Sequence, residues 1–153
     1  MDILNKEAWE QKALINAGAL SVSELMQETL ARIELVNPKV NALVNILSKA
    51  ACEKLTSGEC PFGGALGGMP MAIKDLANVK GFKTTEGSPL YSERLARKDD
   101  QMVARLRAAG ALFIGKTNTP EFGLGSNTFN PVYGKTKNPY DLTRTCGGSS
   151  GGA

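Results

Sequence analysis

This chain predicts an α/β fold, helices packed on a mixed β-sheet, on the strength of three features. Amphipathic helical stretches alternate with short apolar runs of strand length. Two of those runs, 69–73 and 111–114, are apolar throughout, as strands covered on both faces are. No internal repeat or linker divides the 153 residues, a length at which one domain with an ordinary core is the default.

The elements follow in order. Residues 5–16 read as a first helix, ended by Gly18. Ser21-Val22-Ser23-Glu24 is a capping-box pattern opening a second helix, whose Met26, Leu30 and Ile33 share a face. Asn37-Pro38 closes it, since the residue before a proline is pushed out of the helical region. Residues 40–46 read as a strand and 48–56 as a third helix stopped at Ser57-Gly58. The stretch 61–68 is glycine-rich and loop-like, 69–73 is the second strand, and 81–98 is turn-rich. A fourth helix starts at Asp99-Asp100-Gln101, turns Met102, Val103, Leu106 and Ala109 inward, and is capped by Gly110. Residues 111–114 form the third strand, and beyond Thr117 the chain reads as loops and short turns. Residues 1–153 thus form one unit, with a helical start over about 5–36 and α/β structure up to a Gly/Ser loop at 147–153.

Composition narrows the function. Apolar content of 42% and charged content of 22% belong to a globular chain rather than a disordered one. The net charge of +3 is spread, with no block of five or six Lys/Arg, so neither nucleic acid nor an anionic membrane is an indicated partner. No long apolar stretch and no signal-peptide pattern occur, which points to the cytoplasm. Cys52, Cys60 and Cys146 lack metal-ligand spacing and read as reduced thiols; only Cys146 abuts the glycine-rich loop. The most restrictive number is the histidine count, which is zero. Within these residues a Ser-His-Asp triad, a Cys-His dyad and a His-ligated metal are all excluded. Acyl transfer would need another base, and a lysine held neutral is the obvious one.

One motif matches and misleads. Gly110-Ala111-Leu112-Phe113-Ile114-Gly115-Lys116-Thr117 fits the phosphate-loop pattern G-x-x-x-x-G-K-[ST] letter for letter. That pattern needs a strand before it and a helix starting at the lysine. Here a helix precedes, the interior residues are strand formers, and Asn118-Thr119-Pro120 blocks a following helix. Nucleotide binding is not expected, and Lys116 reads as a strand-end scaffold residue.

The chemistry gathers at two other places. Lys74 follows the apolar run 69–73, so its ammonium is expected to be drawn inward, where desolvation lowers a lysine pKa as a base requires. Taken alone, Lys74-Asp75 reads as readily as a strand-end ion pair. Ser149 lies 75 residues further on, within Gly147-Gly148-Ser149-Ser150-Gly151-Gly152. By composition this is a flexible linker. Its glycines also allow close backbone approach and leave two hydroxyls unshielded. A serine between a neutral lysine and a nucleophile can relay a proton, donating to the amine and accepting from the nucleophile.

Gly-x-Pro-x-x-x-Lys-Asp over 68–75, followed at that distance by Gly-Gly-Ser-Ser-Gly-Gly, resembles the amidase signature family. So do the segments 115–122, 126–134 and 138–144, and the likeness covers nearly everything from Ser21 on. The resemblance implies an amide C–N hydrolase with a Lys–Ser–Ser triad and an acyl-serine intermediate. It makes Lys74 the base, Ser149 the bridging serine, Ser150 a supporting neighbour, and the backbone of Phe122, Gly123 and Leu124 a place for acyl-side contacts. The rings of Phe122 and Phe129 are expected in the core. A small-molecule amide substrate is implied, with no cofactor and no metal. The nucleophilic serine and its oxyanion amides are expected roughly two dozen residues beyond Ser149. The fold is therefore expected to be an incomplete amidase-signature fold, inactive alone, with the C-terminal remainder of the same fold as partner. An exposed sheet edge would favour self-association. Cys146 departs from the family, which more often has proline or alanine there. Two other readings stay open: the amidase subunit of a tRNA-dependent amidotransferase, and a non-enzymatic fragment that only associates with its C-terminal complement.

Overall fold

The structure, a computed structural model, describes residues 3–57, 63–148 and 151–152. Helix α1 (Ala8–Asn16) begins later than predicted, behind a 3-10 turn at Ile3–Asn5 and a reciprocal Glu7/Glu10 capping box. Helix α2 (Val22–Val40) opens on the expected box: the Glu24 amide donates to Ser21 Oγ at 3.0 Å and the Ser21 amide to Glu24 Oε2 at 2.8 Å. It does not stop at Asn37-Pro38 but runs through Pro38 to Val40. Pro38 sits in the last turn, where little of the helix remains to be disrupted, and two asparagines make the exit. Asn41 takes the left-handed conformation (φ 53°) that asparagine tolerates. Asn37 Oδ1 accepts from the amides of Ala42 and Leu43 at 2.9 and 2.8 Å. The start of the predicted first strand is thus absorbed by the helix end, and β1 is Leu43–Ile46. Helix α3 (Lys49–Thr56) is capped by Ser48, whose Oγ accepts from the Ala51 amide at 3.3 Å. Its predicted stop at Gly58, and Cys60, lie outside the described residues.

Strands β2 (Pro70–Lys74) and β3 (Leu112–Thr117) complete a mixed sheet of order β1-β3-β2, with β3 antiparallel to β1 and parallel to β2. Its two faces carry separate apolar clusters. Met26, Leu30, Cys52 and Ile114 pack under α2 and α3; Ile73, Val79, Phe82, Val103, Ala111 and Phe113 pack on the other side with α4 (Gln101–Ala108). Strand β3 therefore serves both clusters, as its apolar sequence requires. Met102, expected inward, is exposed: Val103 and Leu106, three apart, define the buried stripe, and Met102 stands about 100° round the helix from Val103. Gly110 ends α4 at φ 94°, where a side chain would overlap the Gly63 carbonyl.

Beyond Thr117 the chain is more ordered than the loops expected. Strand β4 (Phe129–Asn130) pairs with β5 (Gly134–Lys135), and β6 (Lys137–Asn138) with β7 (Asp141–Thr145). Three of these are two residues long, too short to show alternation in sequence. No helix among the described residues is long and apolar enough to cross a membrane.

Candidate active site

The site assembles where β2 and β3 end. Their parallel register pairs Ile73 with Lys116 and Lys74 with Thr117, and it slips by one residue at Ile114. The slip matters because side chains alternate along a strand. It brings Lys116 onto the same face as Ile73, where strict alternation from Ile114 would have turned it toward α2 and α3. There Lys116 meets Asp75. The two charged side chains are 0% exposed and lie 3.2 Å apart. Lys116 Nζ also donates to the Ala77 carbonyl at 2.7 Å and to Thr84 Oγ1 at 3.1 Å, so all three of its hydrogens are committed. Burial pulls the Lys116 pKa below the ordinary lysine value, and the Asp75 carboxylate opposes that. Asp75 further accepts from the Thr85 amide at 3.1 Å and from Thr85 Oγ1 at 2.5 Å. The ion pair considered for Lys74-Asp75 is therefore made by Lys116 instead. Lys116 is more than a strand-end residue, and a saturated buried ammonium has nothing left for a phosphate. As the sequence predicts, no helix starts at it.

Lys74 is half-buried at the last position of β2, one residue before this pair. The Asp75 amide extends the ladder by donating to the Thr117 carbonyl at 3.0 Å. Ser149 and Ser150 lie outside the described residues, but both flanks of their loop are placed. On one side the Gly147 carbonyl accepts from Thr128 Oγ1 at 2.7 Å, and Gly148 lies against the backbone of Ser126 and Asn127. On the other side the Gly152 carbonyl accepts from Thr117 Oγ1, and a side chain on Gly152 would come within 3.2 Å of Lys74 Cγ. A side chain on Gly151 would run into Thr128, and one on Gly152 into the Asn118 carbonyl. Gly148, Gly151 and Gly152 are thus read not as linker but as backbone packed too closely to carry side chains, while Gly147 has space but takes a positive φ of 74°.

An asparagine frame holds the surrounding loops. Asn118 Nδ2 donates to Thr136 Oγ1 at 2.9 Å, Asn130 Nδ2 donates to Asn118 Oδ1 at 2.7 Å, and Asn130 Oδ1 accepts from the amides of Val132 and Tyr133. Burial raises the pKa of the neighbouring Tyr133 phenol, while a hydrogen bond with Thr85 pulls it the other way. Sequence reasoning misses these residues; Asn118 preceding Thr119-Pro120 and Asn130 preceding Pro131 are the only local hint, as turn formers.

The segment expected to contact the acyl side forms a 3-10 turn, Glu121–Gly123, with Phe122 in the left-handed region (φ 54°). The Phe122 amide donates to the Glu86 carbonyl at 2.7 Å, and the Glu86 amide donates to the Asp75 carbonyl at 3.1 Å, so the turn is tied to the residue after Lys74. Phe122 and Leu124 line a cavity of about 330 Å³ together with Ser126, Asn127 and Phe129. Gly123 instead packs against Leu76. Phe122 and Phe129, expected in the core, are 42% and 60% exposed on the rim of this cavity. They sit on a short turn and a two-residue strand that lie outside the two apolar clusters flanking the sheet. Cys146 is exposed beside the loop and Cys52 is buried, which raises its thiol pKa. Among the described residues no group of three or more Cys, Asp or Glu could hold a metal ion.

The sequence model of the family described as Amidase matches residues 24–153. The chain belongs to the amidase family. It is 42% identical over 138 residues to a subunit of the glutamyl-tRNA(Gln) amidotransferase of Syntrophobacter fumaroxidans, an alignment covering 88% of this chain and 28% of the relative. It is 41% identical over 151 residues to an indoleacetamide hydrolase of Bradyrhizobium diazoefficiens, covering 95% of this chain and 29% of that one. Among solved structures, 6-aminohexanoate cyclic dimer hydrolase complexed with substrate superimposes with a TM-score of 0.85 at 35% identity, covering 99% of this chain and 31% of the other. The chain thus spans less than a third of the length of these amidase relatives.

Proposed function

We propose that residues 1–153 are the N-terminal part of a single amidase-signature domain, which hydrolyses an amide C–N bond through an acyl-serine. The observation that carries this reading is the convergence at the sheet's end: Lys74 Cγ lies beside Gly152, and both flanks of the Gly/Ser loop are tied there. Lys74 takes the proton of Ser149, which takes that of the attacking serine hydroxyl as its oxygen bonds to the amide carbon. The same proton then passes to the leaving nitrogen as the C–N bond breaks, and water repeats the sequence on the acyl-serine. Ser150 supports the relay, and the cavity beside Phe122 and Leu124 accepts the acyl side of a small amide. The attacking serine and its oxyanion amides come from the part of the amidase relatives that this chain does not span.

A second reading, the amidase subunit of a tRNA-dependent amidotransferase, is favoured by the names of several of the relatives. In a protein extended to include the nucleophile, Lys74→Ala and Ser149→Ala are each expected to lower kcat by about three orders of magnitude or more with circular dichroism unchanged. Release of ammonia or amine from simple amides supports the hydrolase, and glutamine-dependent transamidation supports the amidotransferase. The 153-residue chain alone should show no turnover. Turnover by it that Ser149→Ala abolishes would make Ser149 the attacking group and overturn the relay.

A further inference from the structure

Two threonines that the relay does not use bracket the loop that carries it. Thr128 is fully buried, and its hydroxyl donates to the carbonyl of Gly147, two residues before Ser149. Its side chain also fills the space next to Gly151. Thr128 is itself fixed, since its carbonyl accepts from the Thr136 amide at 2.9 Å. Thr117 donates to the carbonyl of Gly152, two residues after Ser150, and it is the register partner of Lys74. Each end of the loop is therefore held by one hydroxyl, and one of those hydroxyls stands on the residue paired with the lysine. Neither bond belongs to the sheet's own ladder, which uses the Thr117 carbonyl rather than its side chain.

We propose that Thr117 and Thr128 are positioning residues, two ties that hold Gly147 and Gly152, the two flanks of the Gly/Ser loop, with Gly152 beside Lys74. The proposal rests on the reading of Lys74 and Ser149 as a proton relay. A loop with four glycines has many conformations to lose, and a base displaced by an ångström from its partner can cost about a hundredfold in rate. The ties remove that freedom before substrate arrives.

Valine matches threonine in shape and lacks the donor, whereas serine keeps the donor and loses a methyl. In the 153-residue chain, Thr117→Val and Thr128→Val are each expected to speed amide hydrogen exchange at the loop flanks 146–148 and 151–152 by about tenfold or more, with exchange in β2 and β3 unchanged. Thr117→Ser and Thr128→Ser should restore the slow exchange. In the protein extended to include the nucleophile, each valine variant should lower kcat by about 10- to 100-fold with KM within about threefold, and each serine variant should recover most of it. Where Thr128→Val does not fold, Thr128→Ala against Thr128→Ser makes the same comparison. Unchanged exchange in the valine variants, or serine variants that behave like valine, overturns the proposal. Failure of the relay reading is separate: full turnover in Lys74→Ala sinks the relay, while the exchange experiment still reads the ties.

Discussion

The end of β2 and β3 and the stretch from Glu121 to Thr145 both surround the candidate site, and they are built in opposite ways. Buried side-chain polar atoms are partnered in both regions among the described residues, but at the strand ends a charged pair, Asp75–Lys116, is also sealed from water. In the later stretch the ribbons are short, and Leu124, Phe129, Tyr140 and Leu142 leave large apolar surface exposed. Pairing of that kind with one face bare is marginal on its own. The strand-end region is therefore closed over its charges, whereas the later stretch leaves apolar surface open. That division agrees with a chain spanning less than a third of its amidase relatives.

The sharpest way to break this comparison is at the sealed end. Removing one partner of a buried ion pair leaves the other charge uncompensated and costs about 3–5 kcal/mol. Lys116→Met leaves the Asp75 carboxylate, among the described residues, with its Thr85 donors, and Asp75→Asn strands the Lys116 ammonium. Each is expected to lower the urea midpoint steeply, and Asp75→Asn combined with Lys116→Met to recover a large part of the loss. A single variant costing under about 1 kcal/mol would show that water reaches the pair, and the contrast between the two regions would fall.

Sequence discloses these regions unevenly, for physical reasons. The runs ending in Lys74 and Thr117 are legible because apolar strands buried on both faces have a strong signature. Lys74 and the Gly/Ser loop are legible as a motif, and Gly148, Gly151 and Gly152 then prove to be where side chains have no room. Lys116 is underestimated because its partner depends on the slip at Ile114, which no local pattern announces. Thr117 and Thr128 are invisible because a threonine becomes a tie only once a particular carbonyl is placed opposite it. Phe122 and Phe129 are misplaced because aromatic residues default to the core, and here they rim an open cavity.

The exposed half gives the next test. Leu124→Lys and Phe129→Ser remove apolar surface without touching either apolar cluster beside the sheet. Stability should stay within about 0.5 kcal/mol, as for ordinary surface positions. Self-association measured by sedimentation should fall, because contiguous apolar patches are what drive it. Association that persists unchanged would move the sticky surface to the outer edges of β1 and β2, which among the described residues pair on one side only.

The smallest expected effect is acid sensitivity, and it should be confined to the scaffold side. Asp99 is held below the ordinary carboxylate pKa chiefly by its hydrogen bonds from Arg107, and Asp100 chiefly by the Asn78 amide, which donates at 2.8 Å. Both join α4 to the turn at 78–80, since Lys80 donates its amide to Asp99 at 2.7 Å. A depressed folded-state pKa means the unfolded chain takes the proton first as pH falls. The stabilisation is therefore complete above the unfolded value near pH 4, and is lost as pH drops below it through the folded values. Both residues are only half-buried at the protein surface, so screening keeps the effect modest. Asp100→Asn should flatten the acid limb of a urea-midpoint profile between about pH 5 and 3, while leaving the slope near neutrality unchanged. Protection factors in the 78–100 segment, corrected for the slower intrinsic exchange at low pH, should fall on acidification before those of β4 and β5, which carry no such carboxylate. The reverse order would mean that the exposed ribbons, and not the α4 contact, are the first part of this chain to yield to acid.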